Sequence, residues 1–236
     1  IIFKIKRCFC LYMAAAGLQK VLIIMKEFAP GLQIATGQYV VAVEYRLAPE
    51  DKFPAGLEDC YAVAKAVYSG DFMLNIRPEN ITLIGDSAGG NLCAALSLMA
   101  RDRGEFMPKR QILIYPATYN DYTENSPFVS VKENGSDYLL TAGKMQDYID
   151  LYARNEEDKM NPYFAPYIAE DLANQPDTLI LTCEFDPLRD EGGSIWEALK
   201  RGWKLCGDTS DQRCITWIFC VGDQAASCTG KFHLYQ

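Results

Sequence analysis

The chain holds 236 residues, with 23 Lys and Arg against 31 Asp and Glu, a net charge of −8 and 49% hydrophobic residues. That length supports one continuous core rather than a small cross-linked scaffold, and an acidic chain without a basic patch excludes nucleic acid as a partner. No apolar run reaches the roughly eighteen residues of a membrane span, because Gln19 and Lys20 interrupt the one candidate.

The opening, IIFKIKRCFCLYMAAAGL, places basic residues before an apolar stretch and then small residues, which imitates a secretory signal. The first residue is Ile1, so the native start is expected to lie outside this sequence. Of the 9 cysteines, Cys8 and Cys10 lie near the beginning, Cys206, Cys214, Cys220 and Cys228 near the end, and only Cys60, Cys93 and Cys183 between. The odd total and the lack of CxxC pairs argue against zinc and against a complete disulfide framework. The three middle cysteines fall in apolar helix or strand patterns and read as buried free thiols. Unpaired thiols favour a cytoplasmic home, with secretion as the alternative.

Residues 39–45, YVVAVEY, form a β-branched run suited to a strand buried on both faces. The prolines of RLAPEDKFPAG then forbid regular structure. Leu57, Tyr61, Ala64 and Tyr68 recur at helical spacing, with Cys60, Val63 and Val67 widening the stripe. NITLIG predicts the next strand, residues 90–101 the next helix, and QILIYP a further strand. TLILTC closes the series after an excursion over about 117–175 that includes a helix near 144–154. Strands alternating with helices predict an α/β fold, a mostly parallel sheet between helices. The long detour predicts a lid or cap, and its NEEDK run, residues 155–159, a solvated face. No repeat, low-complexity tract or linker divides the chain, so residues 1–236 are expected to form one domain.

Gly85-Asp86-Ser87-Ala88-Gly89 fits GxSxG with a strand before it and a helix after it. Reversing direction in so few residues brings strand end and first helical turn nearly into contact. Side chains two before and two after the serine would collide there, and Gly90 eases the helix against the sheet. Ser87 is then held in a strained conformation with its hydroxyl projecting, and the N–H of Ala88 is placed to stabilise an oxyanion. The plainer alternative makes Ser87 an N-cap.

A serine nucleophile needs a base oriented by a carboxylate, and on such a sheet the chain order is serine, acid, histidine. Asp186 suits the acid: it follows TLILTC, and the proline after it ends the strand and puts the carboxylate in a loop at the sheet's edge. Its alternative is a solvated turn residue ahead of proline.

Together YRLAPEDKFPAGLEDC, GDSAGGNL, YFAPYIAEDL and CEFDPLRDEG resemble the hormone-sensitive-lipase branch of the α/β-hydrolase family, over about residues 26–192. The resemblance implies an α/β-hydrolase fold with a cap insertion at about 117–175 and a cofactor-free, metal-free carboxylesterase acting on short-chain esters. It puts the nucleophile on Ser87, the acid on Asp186 and one oxyanion donor on Ala88, and leaves the oligomeric state open.

Two family elements are missing from their expected places. The HGGG loop should precede YVVAVEY, yet residues 1–25 hold no histidine and one glycine, Gly17. The family histidine should follow the helix after Asp186, but the text departs from the pattern beyond Gly192, and the sole histidine, His233, stands near the end of the sequence. Atypical ends at 1–25 and 193–236 are what a reading-frame error or a decayed gene produces. Two readings therefore stand beside the hydrolase: a binding protein on the same scaffold, and a defective chain.

Overall fold

The computed structural model describes residues 9–13, 21–71, 76–137, 139–205 and 214–219. Among these described residues six strands form one parallel sheet in the order β2-β1-β3-β4-β5-β6: β1 Phe9–Met13, β2 Tyr39–Val43, β3 Ile81–Asp86, β4 Arg110–Ile114, β5 Asp177–Cys183 and β6 Cys214–Phe219. The main helices joining them are α1 (Val21–Thr36), α2 (Ala55–Ser69), α3 (Ala88–Arg103) and α7 (Arg189–Leu205). The excursion between β4 and β5 carries α4 (Val129–Glu133), α5 (Ala142–Tyr152) and α6 (Glu156–Lys159).

The expected parallel α/β architecture is present, and both atypical ends contribute to it. Phe9–Met13 forms the strand between β2 and β3, and Cys214–Phe219 pairs with β5 at the other side of the sheet. FCLYM and CITWIF are short apolar runs of the kind a sheet covered on both faces accepts without alternation. Helix α7 continues past Gly192 to Leu205, so the change of pattern at that glycine is not a structural boundary.

Packing follows the spacing of apolar residues. Helix α2 buries Leu57, Cys60, Tyr61, Ala64 and Val67, while Val63 and Tyr68 pack half-buried beside them. Helix α3 is buried on every side from Gly89 to Ala100, as a helix between a sheet and a second helix must be, and small residues such as Ala94, Ala95 and Ala100 allow that close approach. Cys60 and Cys93 are buried free thiols and Cys183 is a half-buried one, and desolvation raises all three thiol pKa values, that of Cys183 to about 11.

The excursion docks through aromatic rings. Phe53, in the loop before α2, meets Tyr152 and Phe164 edge-on at 5.6 and 5.4 Å, and Tyr152 stacks on Phe164 at 5.0 Å. The Phe53 N–H and the Lys52 ammonium donate to the carbonyls of Tyr152 and Ala153, each at 2.9 Å. The NEEDK run departs from its expected solvated face at one residue. Asp158 is buried and accepts from the backbone N–H and the guanidinium of Arg154 at 2.8 to 2.9 Å, which offsets the cost of burying its charge.

A buried polar chain crosses the sheet beneath these loops. The Ser97 hydroxyl on α3 donates to Gln111 Oε1 at 2.9 Å, and Gln111 Nε2 on β4 donates to Thr178 Oγ1 on β5 at 2.9 Å. Gln111→Leu removes both bonds from a dry environment, and urea unfolding of the variant is expected to show a loss of about 1–3 kcal/mol. A change inside measurement error would mean that the chain contributes nothing to stability.

Candidate active site

The site is built where β3 turns into α3. Ser87 sits at φ 52° and ψ −117°, a left-handed conformation that costs a non-glycine residue roughly 1–3 kcal/mol. Ser87 holds the N-cap position of α3, but its side chain makes no capping hydrogen bond to the first turn. The backbone is held on three sides: Ser87 N–H donates to the Ile114 carbonyl at 2.8 Å, and the Ser87 carbonyl accepts from Asn91 N–H at 3.1 Å and Ala117 N–H at 3.3 Å.

The glycines around Ser87 are required by contact distance. A Cβ on Gly85 would overlap the carbonyl group of Gly89, and one on Gly90 would stand 2.7 Å from Pro116 Cβ. Ala88 is the exposed first residue of α3, so its N–H belongs to the helix's unpaired first turn and carries the favourable end of the helix dipole.

Ser87 and Ala88 open into a cavity of about 180 Å³ whose other walls include Leu47, Met145, Ile149 and Phe164. A dry apolar cavity of about 150 Å³ holds a benzene ring, so this one has room for a short acyl or small aryl group. Asn91, one turn along α3, fixes two of its walls by donating Nδ2 to the carbonyls of Ala117 at 2.7 Å and Phe164 at 2.8 Å.

Asp186 lies three residues past β5. Asp86, Ile114 and Leu181 are level in the register of β3, β4 and β5, so Ser87 and Asp186 share the C-terminal edge of the sheet with β4 between their strands. At about 4.8 Å per strand the two strand axes are about 10 Å apart. Asp186 Oδ1 accepts the N–H of Leu188 at 2.9 Å, and the Asp186 carbonyl accepts from Asn134 Nδ2 at 3.3 Å. The carboxyl is half-buried rather than a solvated turn group, and desolvation pushes its pKa above the usual carboxylate value against the lowering effect of Leu188 N–H.

His233 lies outside the described residues, and so does most of the segment 1–25 in which the resemblance would place the HGGG loop. Four residues that brace the site went unread in the sequence. Asn91 and Asn134 clamp carbonyls as described, Ser130 donates its hydroxyl to the Pro187 carbonyl at 2.8 Å, and Glu191 is wholly buried behind the acid loop. Asn91 and Glu191 stood inside the quoted motifs, but nothing local marks them as buried.

The chain matches the family model described as the alpha/beta hydrolase fold over residues 24–207, beyond the limit at Gly192 that the motifs alone suggested. It is 40% identical over 154 residues to an arylesterase of Saccharolobus solfataricus, covering 65% of this chain and 49% of that one. It is 34% identical over 157 residues to an ethyl acetate hydrolase of Pseudomonas putida, covering 66% and 48%. The chain thus spans about half the length of these curated relatives. Among solved structures, a hyperthermophilic esterase of the archaeon Pyrobaculum calidifontis superposes with a TM-score of 0.78 at 37% identity, covering 91% of this chain and 68% of the other. A thermostable carboxylesterase cloned from a metagenomic library gives 0.78 at 32%, covering 92% and 70%.

Burial pushes the Glu191 carboxyl up to about 8 from an ordinary 4.5, with Asp186 adding to the rise and hydrogen bonds from Thr118, Tyr122 and Tyr119 opposing it. The titratable groups facing it are Tyr119 and Tyr122 beyond β4 and Asp186 beyond β5. In the window from about 4.5 to about 8 the unfolded chain has lost this proton and the folded chain keeps it, so this contribution to stability falls as pH rises. Glu191→Gln removes the dependence. Melting temperatures should show the variant gaining on the wild type between pH 5 and pH 8, and a constant difference would contradict the buried neutral acid.

Proposed function

The chain belongs to the α/β-hydrolase fold family, and from that premise we propose that it is a serine carboxylesterase acting on short-chain esters. The observation that carries the reading is the elbow. A serine is held at positive φ with its hydroxyl uncommitted to capping, at the mouth of an apolar cavity and on the same sheet edge as a half-buried aspartate. The arylesterase, ethyl acetate hydrolase and esterase names of its relatives support the same class of reaction.

In the proposed mechanism Ser87 Oγ attacks the ester carbonyl while a base takes its proton. The carbonyl oxygen gathers negative charge facing the N–H of Ala88, the alcohol leaves with the proton, and water repeats the sequence to free the acid. The base is an imidazole oriented by Asp186; the sole histidine of this sequence, His233, lies outside the described residues. Residues 117–175 act as the cap, with α5 over the acyl group. The free thiols of Cys60, Cys93 and Cys183, among the described residues, support a cytoplasmic location.

A half-buried carboxylate to which no cation among the described residues is bonded favours a positive charge on the imidazole it orients. Activity that needs Asp186 ionised is lost as pH falls through its raised pKa, so the acid limb of kcat/KM should lie above the ordinary carboxylate value of 3.8.

The test is hydrolysis of p-nitrophenyl acetate and labelling by a serine-directed phosphonate. Ser87→Ala should abolish labelling and reduce turnover to background, and Asp186→Asn should lower kcat by about 10⁴-fold, as loss of an orienting acid does. Equal rates for wild type and Ser87→Ala would sink the proposal.

A further inference from the structure

Glu191 is a buried acid that the scheme above does not use. Glu191 lies in the first turn of α7, five residues beyond Asp186, and is fully shielded from solvent. One oxygen, Oε1, accepts the N–H of Thr118 at 2.6 Å and the hydroxyl of Tyr122 at 3.0 Å. A leucine would fill the same space without the cost of burying a carboxyl, so what the carboxyl adds is an acceptor for these donors and for the backbone of Tyr119.

These donors belong to the segment leaving β4, and that segment backs the serine. Ala117, next to Thr118, donates its N–H to the Ser87 carbonyl and offers its own carbonyl to Asn91. On the other side, the helical turn that carries Glu191 is pressed against β5, where a Cβ on Gly192 would stand 2.6 Å from Thr182 Cγ2. The same turn closes the acid loop: Gly192 N–H donates to the Leu188 carbonyl at 3.2 Å, and Leu188 N–H donates to Asp186 Oδ1. A continuous bonded track therefore runs from Asp186 through the start of α7 and Glu191 to Thr118, Ala117 and Ser87.

We infer that Glu191 is a positioning residue for the Ser87–Asp186 pair, fixing their separation by tying the acid's helix to the segment behind the serine. The inference rests on the esterase reading. Without the tie the segment after β4 slackens, and the serine loses alignment with the base that the aspartate orients. Displacement of that kind costs turnover more than it costs substrate binding, because the apolar cavity walls other than Ala117 stay in place.

The experiment measures kcat and KM for p-nitrophenyl acetate in wild type, Glu191→Gln, Glu191→Leu and Tyr122→Phe, with a melting curve for each. Glu191→Gln keeps the acceptor and should retain kcat within about threefold. Glu191→Leu removes it and should lower kcat by on the order of ten- to a hundredfold with little change in KM. Tyr122→Phe removes one of the donors and should lower kcat by a few-fold, and it decides the matter if Glu191→Leu does not fold. Wild-type kcat in the folded Leu variant, or in Tyr122→Phe when the Leu variant is lost, overturns the positioning role alone. A wild type that neither turns over ester nor takes a phosphonate overturns the esterase reading and this inference with it.

Discussion

The site depends on how little room separates the end of β3 from the start of α3. With Gly85 and Gly89 in van der Waals contact and Gly90 against Pro116, the chain cannot relax into an ordinary capped helix start, and Ser87 is left at φ 52°. The strain of about 1–3 kcal/mol is small beside the surrounding constraints. Ser87 is bonded through its own N–H to β4 and through its carbonyl to α3 and to Ala117, so moving it into a comfortable region would break several buried hydrogen bonds at once. A hydroxyl that would otherwise cap the helix is thereby turned toward the cavity.

The buried polar groups around this point are arranged as clamps on main-chain carbonyls and N–H groups. Asn91 joins the segment after β4 to Phe164, Asn134 and Ser130 hold the acid loop, and Glu191 spans between the two. Loops at the open end of a parallel sheet expose backbone groups that no ladder satisfies. Side-chain amides and carboxyls supply the missing partners, and in doing so they convert two loops and a long excursion into a rigid rim. Deeper in the sheet, the Ser97, Gln111 and Thr178 chain does the same between helix and strands.

The parts of this fold that could be read from the sequence are those that repeat. The strands β2 to β5 could be read as continuous apolar runs and α2 from its helical period, although β2, expected to be buried on both faces, lies at the edge of the described sheet with only Val43 fully buried; GxSxG became meaningful because strand and helix patterns flanked it. Strands β1 and β6 were hidden because five or six apolar residues among cysteines and small residues carry no period; the first also imitated a targeting signal. Asp158 was misread because a charge run is solvated by default, and only the placement of Arg154 makes burial of one member possible. The bracing residues Asn91, Ser130, Asn134 and Glu191 share one reason for escaping notice. A polar side chain becomes a clamp only when a carbonyl or N–H distant in sequence arrives beside it, and no local pattern records that arrival.

Electrostatics at the rim follow from the same burial. Desolvation raises Asp186, Glu191, the Cys183 thiol and the Tyr115 hydroxyl together, and acidic neighbours add to the rise in the last three. Arg189, the cation nearest Asp186 in sequence, is paired with Asp190 at 2.8 Å and Glu133 at 3.1 Å. The corner between β3 and β5 is therefore a weakly solvated region in which negative charge is costly and a positive charge would be welcome. A neutral Glu191 leaves Asp186 free of a second anion behind it, and an imidazole entering between serine and aspartate would gain basicity from the Asp186 carboxylate. The clamp that sets the geometry and the burial that sets the charge are consequences of one fact: the first turn of α7 is packed flush against the sheet.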